Sequence, residues 1–245
     1  MIKYKNEIDL NCENVAIFAD FDNIYYSLSD YGLNLNLNEY NIFYWMNVLY
    51  GTSKIRSMSA FANFEQLPNI SLKTLQNQRV YIYNVFGNNR KNSSDIELSL
   101  YALQTFYDRS NIDTFVFLTS DSDMIPIMNK LLYFGKRVHL YSIEENSNPN
   151  INNFCNLSVD ILELMDLKHL KKDPEKFLKD AIDIVTRFYS FNTDRLFFHK
   201  RLMDNLIQSL YLSPHMANRV IELMINENII KKVETDNSCG YKFLK

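Results

Sequence analysis

The apolar and polar positions of the first 145 residues fall into short apolar runs separated by segments of helical spacing. Parallel strands covered on both faces read as continuous apolar runs, so this alternation is the pattern of a parallel sheet with crossover helices. It predicts strands at 14–21, 54–64, 80–86, 114–120 and 136–143, with helices at 24–30, 37–50, 69–76, 94–108 and 123–134. The runs VAIF and FVFL fit central strands, whereas KIRSMSAF alternates more and fits nearer an edge. After a polar, turn-forming EENSNPN, residues 158–167 have the character of a closing helix, and KHLKKDP follows as a linker.

Beyond the linker the pattern changes to three helices, at about 174–189, 195–210 and 214–228, and two short strands at 229–233 and 241–244. That order predicts a small α+β winged helix-turn-helix domain over 168–245, after an α/β domain over 1–167. Ser213 before Pro214 supplies a helix N-cap and a proline at the first helical position.

With 245 residues and 47% hydrophobic content, the chain can bury cores for both domains. The first residues lack the apolar core of a signal peptide, and no stretch approaches the roughly 20 apolar residues of a membrane span, so a cytoplasmic protein is expected. Cys12, Cys155 and Cys239 are odd in number and lack metal-ligand spacing, and His139, His169, His199 and His215 form no ligand pair. With 5 glycines and no phosphate-cradling loop, a nucleotide cofactor has no support. The net charge of −3 conceals an asymmetry: residues 1–167 carry 12 Lys+Arg against 19 Asp+Glu, and residues 168–245 carry 14 against 10. The C-terminal part can attract phosphate and the N-terminal part can hold a cation.

In a doubly wound sheet, functional groups gather beyond the carboxyl ends of the strands. Asp20, Asp22 and Asn23 follow the first strand, Asp121 and Asp123 follow the fourth, and Asp95 opens the helix that feeds the fourth. Taken singly, Asp20, Asp22 or Asn23 could cap a helix, and Asp95 or Asp123 could serve the helix dipole. Taken together, carboxylates that converge repel one another unless a divalent cation lies among them, and such an oxygen-rich set suits Mg2+ or Mn2+. Ser120 and Ser122 lack a nearby histidine to activate them as nucleophiles; they read as turn formers that orient the acids beside a substrate. Tyr25, Tyr26, Phe43, Tyr44 and Trp45 read first as core, with Tyr25 or Tyr26 as the candidate to stack on an RNA base.

The elements Asp20-Phe21-Asp22-Asn23, Lys91-Asn92-Ser93-Ser94-Asp95 and Thr119-Ser120-Asp121-Ser122-Asp123-Met124 together resemble the NYN family of the PIN-like ribonuclease superfamily. The resemblance spans about 15–143 and implies a PIN-like (Rossmannoid) fold that hydrolyses RNA as a metal-dependent endoribonuclease. It implies catalytic, metal-holding roles for Asp20, Asp95, Asp121 and Asp123, a site role for Asn23, and a phosphate contact for Lys91. Two departures are visible: Asn92-Ser93-Ser94 replaces a stretch that often holds glycine, and Met124 stands where an aromatic is usual. Neither removes a carboxylate.

RNA, single-stranded or structured, is the expected partner, with DNA and a second copy of the chain as further candidates. In the second domain, Arg195, Lys200, Arg201, Arg219, Lys231 and Lys232 could form a basic face, although the helix at 214–228 is poorly equipped to read a groove. A protein-contact module is the equal alternative there. Two rival functions are a non-catalytic nucleic-acid-binding regulator and a phosphohydrolase with Asp20 as nucleophile; the latter lacks its usual threonine.

Overall fold

All six residues of the first strand, β1 (Val15–Asp20), are buried, and they alternate between two cores. Val15, Ile17 and Ala19 enter one core while Ala16 and Phe18 enter the other, as the two-residue period of a strand requires. The structure, a computed structural model, describes residues 12–67, 69–85, 94–171, 173–192, 195–212, 214–235 and 238–244. The chain divides into two compact units, one ending at Leu170 and the other beginning at Lys171.

In the first unit, β1 leads into α1 (Phe21–Ser29), α2 (Ile42–Tyr50), β2 (Ile55–Ala62), α3 (Leu72–Asn77) and β3 (Tyr81–Asn84). The chain continues through α4 (Ser94–Asp108), β4 (Thr114–Leu118), α5 (Ile125–Tyr133), β5 (Arg137–Ser142), β6 (Leu157–Asp160) and α6 (Ile161–Leu164). The six strands form one sheet in the order β3-β2-β1-β4-β5-β6, every pairing parallel. From β1 the chain moves outward through β2 and β3, then returns to lay β4 on the opposite side of β1. The order therefore reverses between β1 and β4, which opens a crevice at their carboxyl ends.

One face of the sheet is covered by Ile24, Tyr25 and Leu28 of α1, by Ile42, Phe43, Met46, Leu49 and Tyr50 of α2, and by Ile161 and Leu162 of α6. On the other, Leu98 and Ala102 of α4 and Ile127, Met128 and Leu131 of α5 pack on Phe18, Phe115 and Phe117. The three phenylalanine rings stack across adjacent strands, with centroids 5.9 and 5.7 Å from Phe18.

Two expectations change in this unit. The segment 158–167 is a strand, β6, parallel to β5, followed by the short α6, rather than one closing helix. Leu157 and Val159 alternate with Ser158 and Asp160, which suits an edge strand with one covered face. The helix expected at 37–50 is interrupted: a 3-10 turn at Asn38–Tyr40 precedes Asn41, whose side chain accepts from the Phe43 and Tyr44 amides and caps α2.

The second unit holds α7 (Glu175–Phe191), β7 (Phe197–Phe198), α8 (His199–Leu210), α9 (Pro214–Asn226), β8 (Ile230–Thr235) and β9 (Ser238–Phe243). Its sheet is antiparallel, in the order β7-β9-β8. The helix expected from 195 starts instead at His199, because 197–198 pair with β9 and turn an expected two-stranded sheet into a three-stranded one. Phe197 is buried and stacks on Phe188 at 4.0 Å, which anchors that short strand. The expected N-cap Ser213 lies outside the described residues. Among the described residues, no helix is long and apolar enough to cross a membrane.

Phe18 has no exposed surface and contacts three rings on two neighbouring elements, Tyr101 of α4 and Phe115 and Phe117 of β4. Phe18→Ala is expected to lower the unfolding free energy of the first unit by about 3–5 kcal/mol, the usual cost of emptying an aromatic core position. Urea titration followed by circular dichroism measures it.

Candidate active site

The last residue of β1 is Asp20, 3% exposed at the switch point. Its Oδ1 accepts from the Asn23 amide at 3.4 Å and so caps α1, and its Oδ2 accepts from the Thr119 hydroxyl at 3.2 Å. The same Thr119 oxygen accepts the Asp121 amide at 3.0 Å. One buried hydroxyl thus holds the acid ending β1 and the backbone of the acid following β4. Asn23 makes a second tie across the crevice: its side-chain oxygen accepts the Ser120 amide at 2.9 Å.

The carboxylates of Asp95, Asp121 and Asp123 meet above this base, each offering an oxygen within 4.8 Å of the others. Asp95 and Asp121 are half-buried and Asp123 is exposed. Asp121 also caps the 3-10 turn Ser122–Met124, its Oδ1 accepting the Asp123 amide at 2.9 Å, so one residue sets the position of the next. Asp95 lies close enough to Asp20 for the two carboxyls to act on one another. Burial, then the charge of Asp95, pushes the Asp20 carboxyl well above its ordinary range; burial, then the charge of Asp121, pushes Asp95 up. Three oxygen donors under mutual repulsion fit a hard divalent cation, which would relieve that repulsion, and Asp95, Asp121 and Asp123 are the residues that could hold it.

Asp22 takes a different place. It is 6% exposed, and its Oδ2 accepts from the Asn63 amide at 3.2 Å and from the Ser94 hydroxyl at 3.0 Å. Because Ser94 is the first residue of α4 and Asp95 the second, Asp22 fastens the helix that carries Asp95 to the exit of β2. Ser120 is 3% exposed, and its hydroxyl accepts from the Ile143 amide at 3.0 Å and donates to the Ile143 carbonyl at 3.4 Å, joining the ends of β4 and β5. That hydroxyl is directed into the fold. Ser122 is half-buried in the turn between the two acids.

Tyr25, the aromatic put forward for base stacking, is 7% exposed and belongs to the core, while its neighbour Tyr26 is 51% exposed. Helical phase explains the difference: Phe21, Ile24, Tyr25 and Leu28 share the buried face of α1. Lys91 lies outside the described residues. Thr119 and Ser94 were not singled out from sequence, although each directly adjoins an acidic motif; a buried hydroxyl between two acids has no periodicity to betray it.

The residues 14–163 match the family profile of the NYN domain. The chain belongs to the NYN domain family. The match runs from the residue before β1 to within α6 and so takes in every acid of the site. The chain is also similar to a crystal structure of a protein of unknown function from Vibrio parahaemolyticus, at 18% identity over 61% of this chain and 93% of that one, with a TM-score of 0.47. No curated protein matches the chain. The domain class is that of PIN-like nucleases, and the acid cluster lies in the NYN unit where β1, α4 and β4 converge.

The raised carboxyls carry a sign for stability. Asp20 and Asp95 both lie above their ordinary value of 3.8 when folded, so the folded state holds their protons more tightly than the unfolded chain. Their contribution is fully present below 3.8 and is lost as pH rises through the raised values. In chelator, the contribution of this pair to the melting temperature should therefore fall as pH rises above 3.8 through the raised values. Asp20→Asn, neutral and nearly isosteric, should melt higher than wild type at the upper end of that range, with the difference shrinking toward the lower end. Thermal melts across the range measure both.

Proposed function

We propose that the NYN unit is a metal-dependent endoribonuclease, with Mg2+ or Mn2+ held by Asp95, Asp121 and Asp123 over a buried Asp20. The observation that carries this reading is the meeting of those three carboxylates within 4.8 Å, at the crevice where the strand order reverses. A cation bound there supplies positive charge to a phosphodiester and lowers the pKa of water, the two needs of phosphodiester hydrolysis at neutral pH. The chain's own residues supply position. Asp20 anchors the floor of the site, Thr119 and Asn23 fix the β4 exit, and Asp22 fixes the start of α4.

The exposed Asp123 leaves the outer side of the cluster open to a polymer. Lys91, by its likeness to the family's lysine, is assigned a phosphate contact. We read the second unit as a winged helix whose excess of basic residues adds affinity for the RNA backbone. The phosphohydrolase alternative needs Asp20 as an accessible nucleophile, and Asp20 is 3% exposed with both oxygens in hydrogen bonds.

The test is cleavage of circular and linear RNA in Mn2+ or Mg2+ by wild type, Asp95→Asn and Asp121→Asn. The reading expects wild type to open the circle, chelator to abolish the cleavage, and each variant to lose roughly 10²–10³-fold in rate, the scale of losing one transition-state contact. RNA bound but left intact by wild type in both metals would establish the regulator instead.

A further inference from the structure

Helix α4 has two apolar faces. Leu98, Ala102 and Thr105 point into the core. Directly opposite, at helical spacing, lie Ile96, Leu100, Leu103 and Tyr107. Leu103 is half-buried and packs in part against the second core, but Ile96 is 65%, Leu100 61% and Tyr107 66% exposed. The exposed apolar surface continues past the end of the helix. Phe106 stacks on Phe134 of the α5 terminus at 5.0 Å, and Phe134 and Tyr133 are themselves 43% and 82% exposed. Lys130 and Lys136 lie over the Phe134 and Phe106 rings at its edge, and an apolar patch rimmed by polar groups marks a contact surface.

We propose that this face binds a second copy of the same chain, with the two α4 helices antiparallel about a twofold axis between Leu100 and Leu103. The spacing argues for a copy. Steps of four, three and four residues read the same in both directions, so an antiparallel partner sets Ile96 against Tyr107, and Leu100 against Leu103, twice over. That is the self-complementarity a twofold interface demands. No charged side chain stands within the stripe itself. The five exposed side chains offer roughly 600 Å² per copy, from the usual surface of aromatic and aliphatic residues, most of the ~800 Å² that each partner contributes to a standard interface. The antiparallel arrangement also brings opposite helix dipoles together. Asp95 sits in the first turn of α4, so the two acid clusters lie toward opposite ends of the contact.

The experiment is light-scattering mass of the full chain across a roughly hundredfold concentration range. The expected species is twice the 29.0 kDa chain mass, dissociating on dilution. Leu100→Glu, at an exposed position, should give the single-chain mass with an unchanged circular dichroism spectrum. Ile96→Lys should also weaken association, and Ile96→Lys with Tyr107→Glu in one chain should restore it, because each lysine then faces the other copy's glutamate. A wild type that stays at the single-chain mass, or a Leu100→Glu chain that keeps the double mass, overturns the proposal. Failure of the paired change to restore association, with Ile96→Lys weakened, overturns the antiparallel register.

Discussion

Repulsion among carboxylates held close together is the constraint around which the NYN unit is organised. Asp20 is buried, Asp95 and Asp121 are half-buried, and Asp95, Asp121 and Asp123 bring oxygens within 4.8 Å. Such a set costs free energy through desolvation and like charge, and both effects appear in the raised carboxyls of Asp20 and Asp95. The surrounding fold must impose this arrangement against its own electrostatics. It does so with elements drawn from far apart in sequence: the end of β1, the first turn of α4 and the loop after β4.

Fixing those elements falls to short polar side chains that point inward. Thr119 joins Asp20 to the Asp121 backbone, Asn23 holds the Ser120 amide, Ser120 clasps Ile143, and Asp22 holds both Asn63 and Ser94. Each of these contacts crosses from one strand exit or helix start to another. Buried hydrogen bonds of this sort are costly to leave unmade, so each restricts the site to one geometry. Beneath them the stacked Phe18, Phe115 and Phe117 lock β1 to β4, the two strands that flank the crevice.

Much of this was legible in the sequence. The runs VAIF and FVFL announce buried parallel strands, and the acids directly after them announce the strand exits where ligands gather. The sixth strand was less legible, because four residues with one covered face carry too short a signal to separate from a helix start. The two residues of β7 become a strand only through pairing with β9, a contact some 40 residues distant that no local pattern records. Within the site, the sequence displayed the acids but not the division of labour among them. Asp22 reads in the motif as the weakest of the acids, a supporting group or an exposed one, and its direction at the start of α1 turns it toward Asn63 and Ser94. Thr119 matters through a hydroxyl whose two partners are known only once β1 and β4 lie side by side.

The account stands on a cation resting among the three upper acids. Anomalous diffraction from crystals of the full chain soaked in Mn2+ tests this directly. The expected result is one strong peak bounded by an oxygen of Asp95, Asp121 and Asp123, at about 2.0–2.2 Å from each ligand it takes. A map with no peak there, and the three carboxylates keeping their metal-free arrangement, would contradict it.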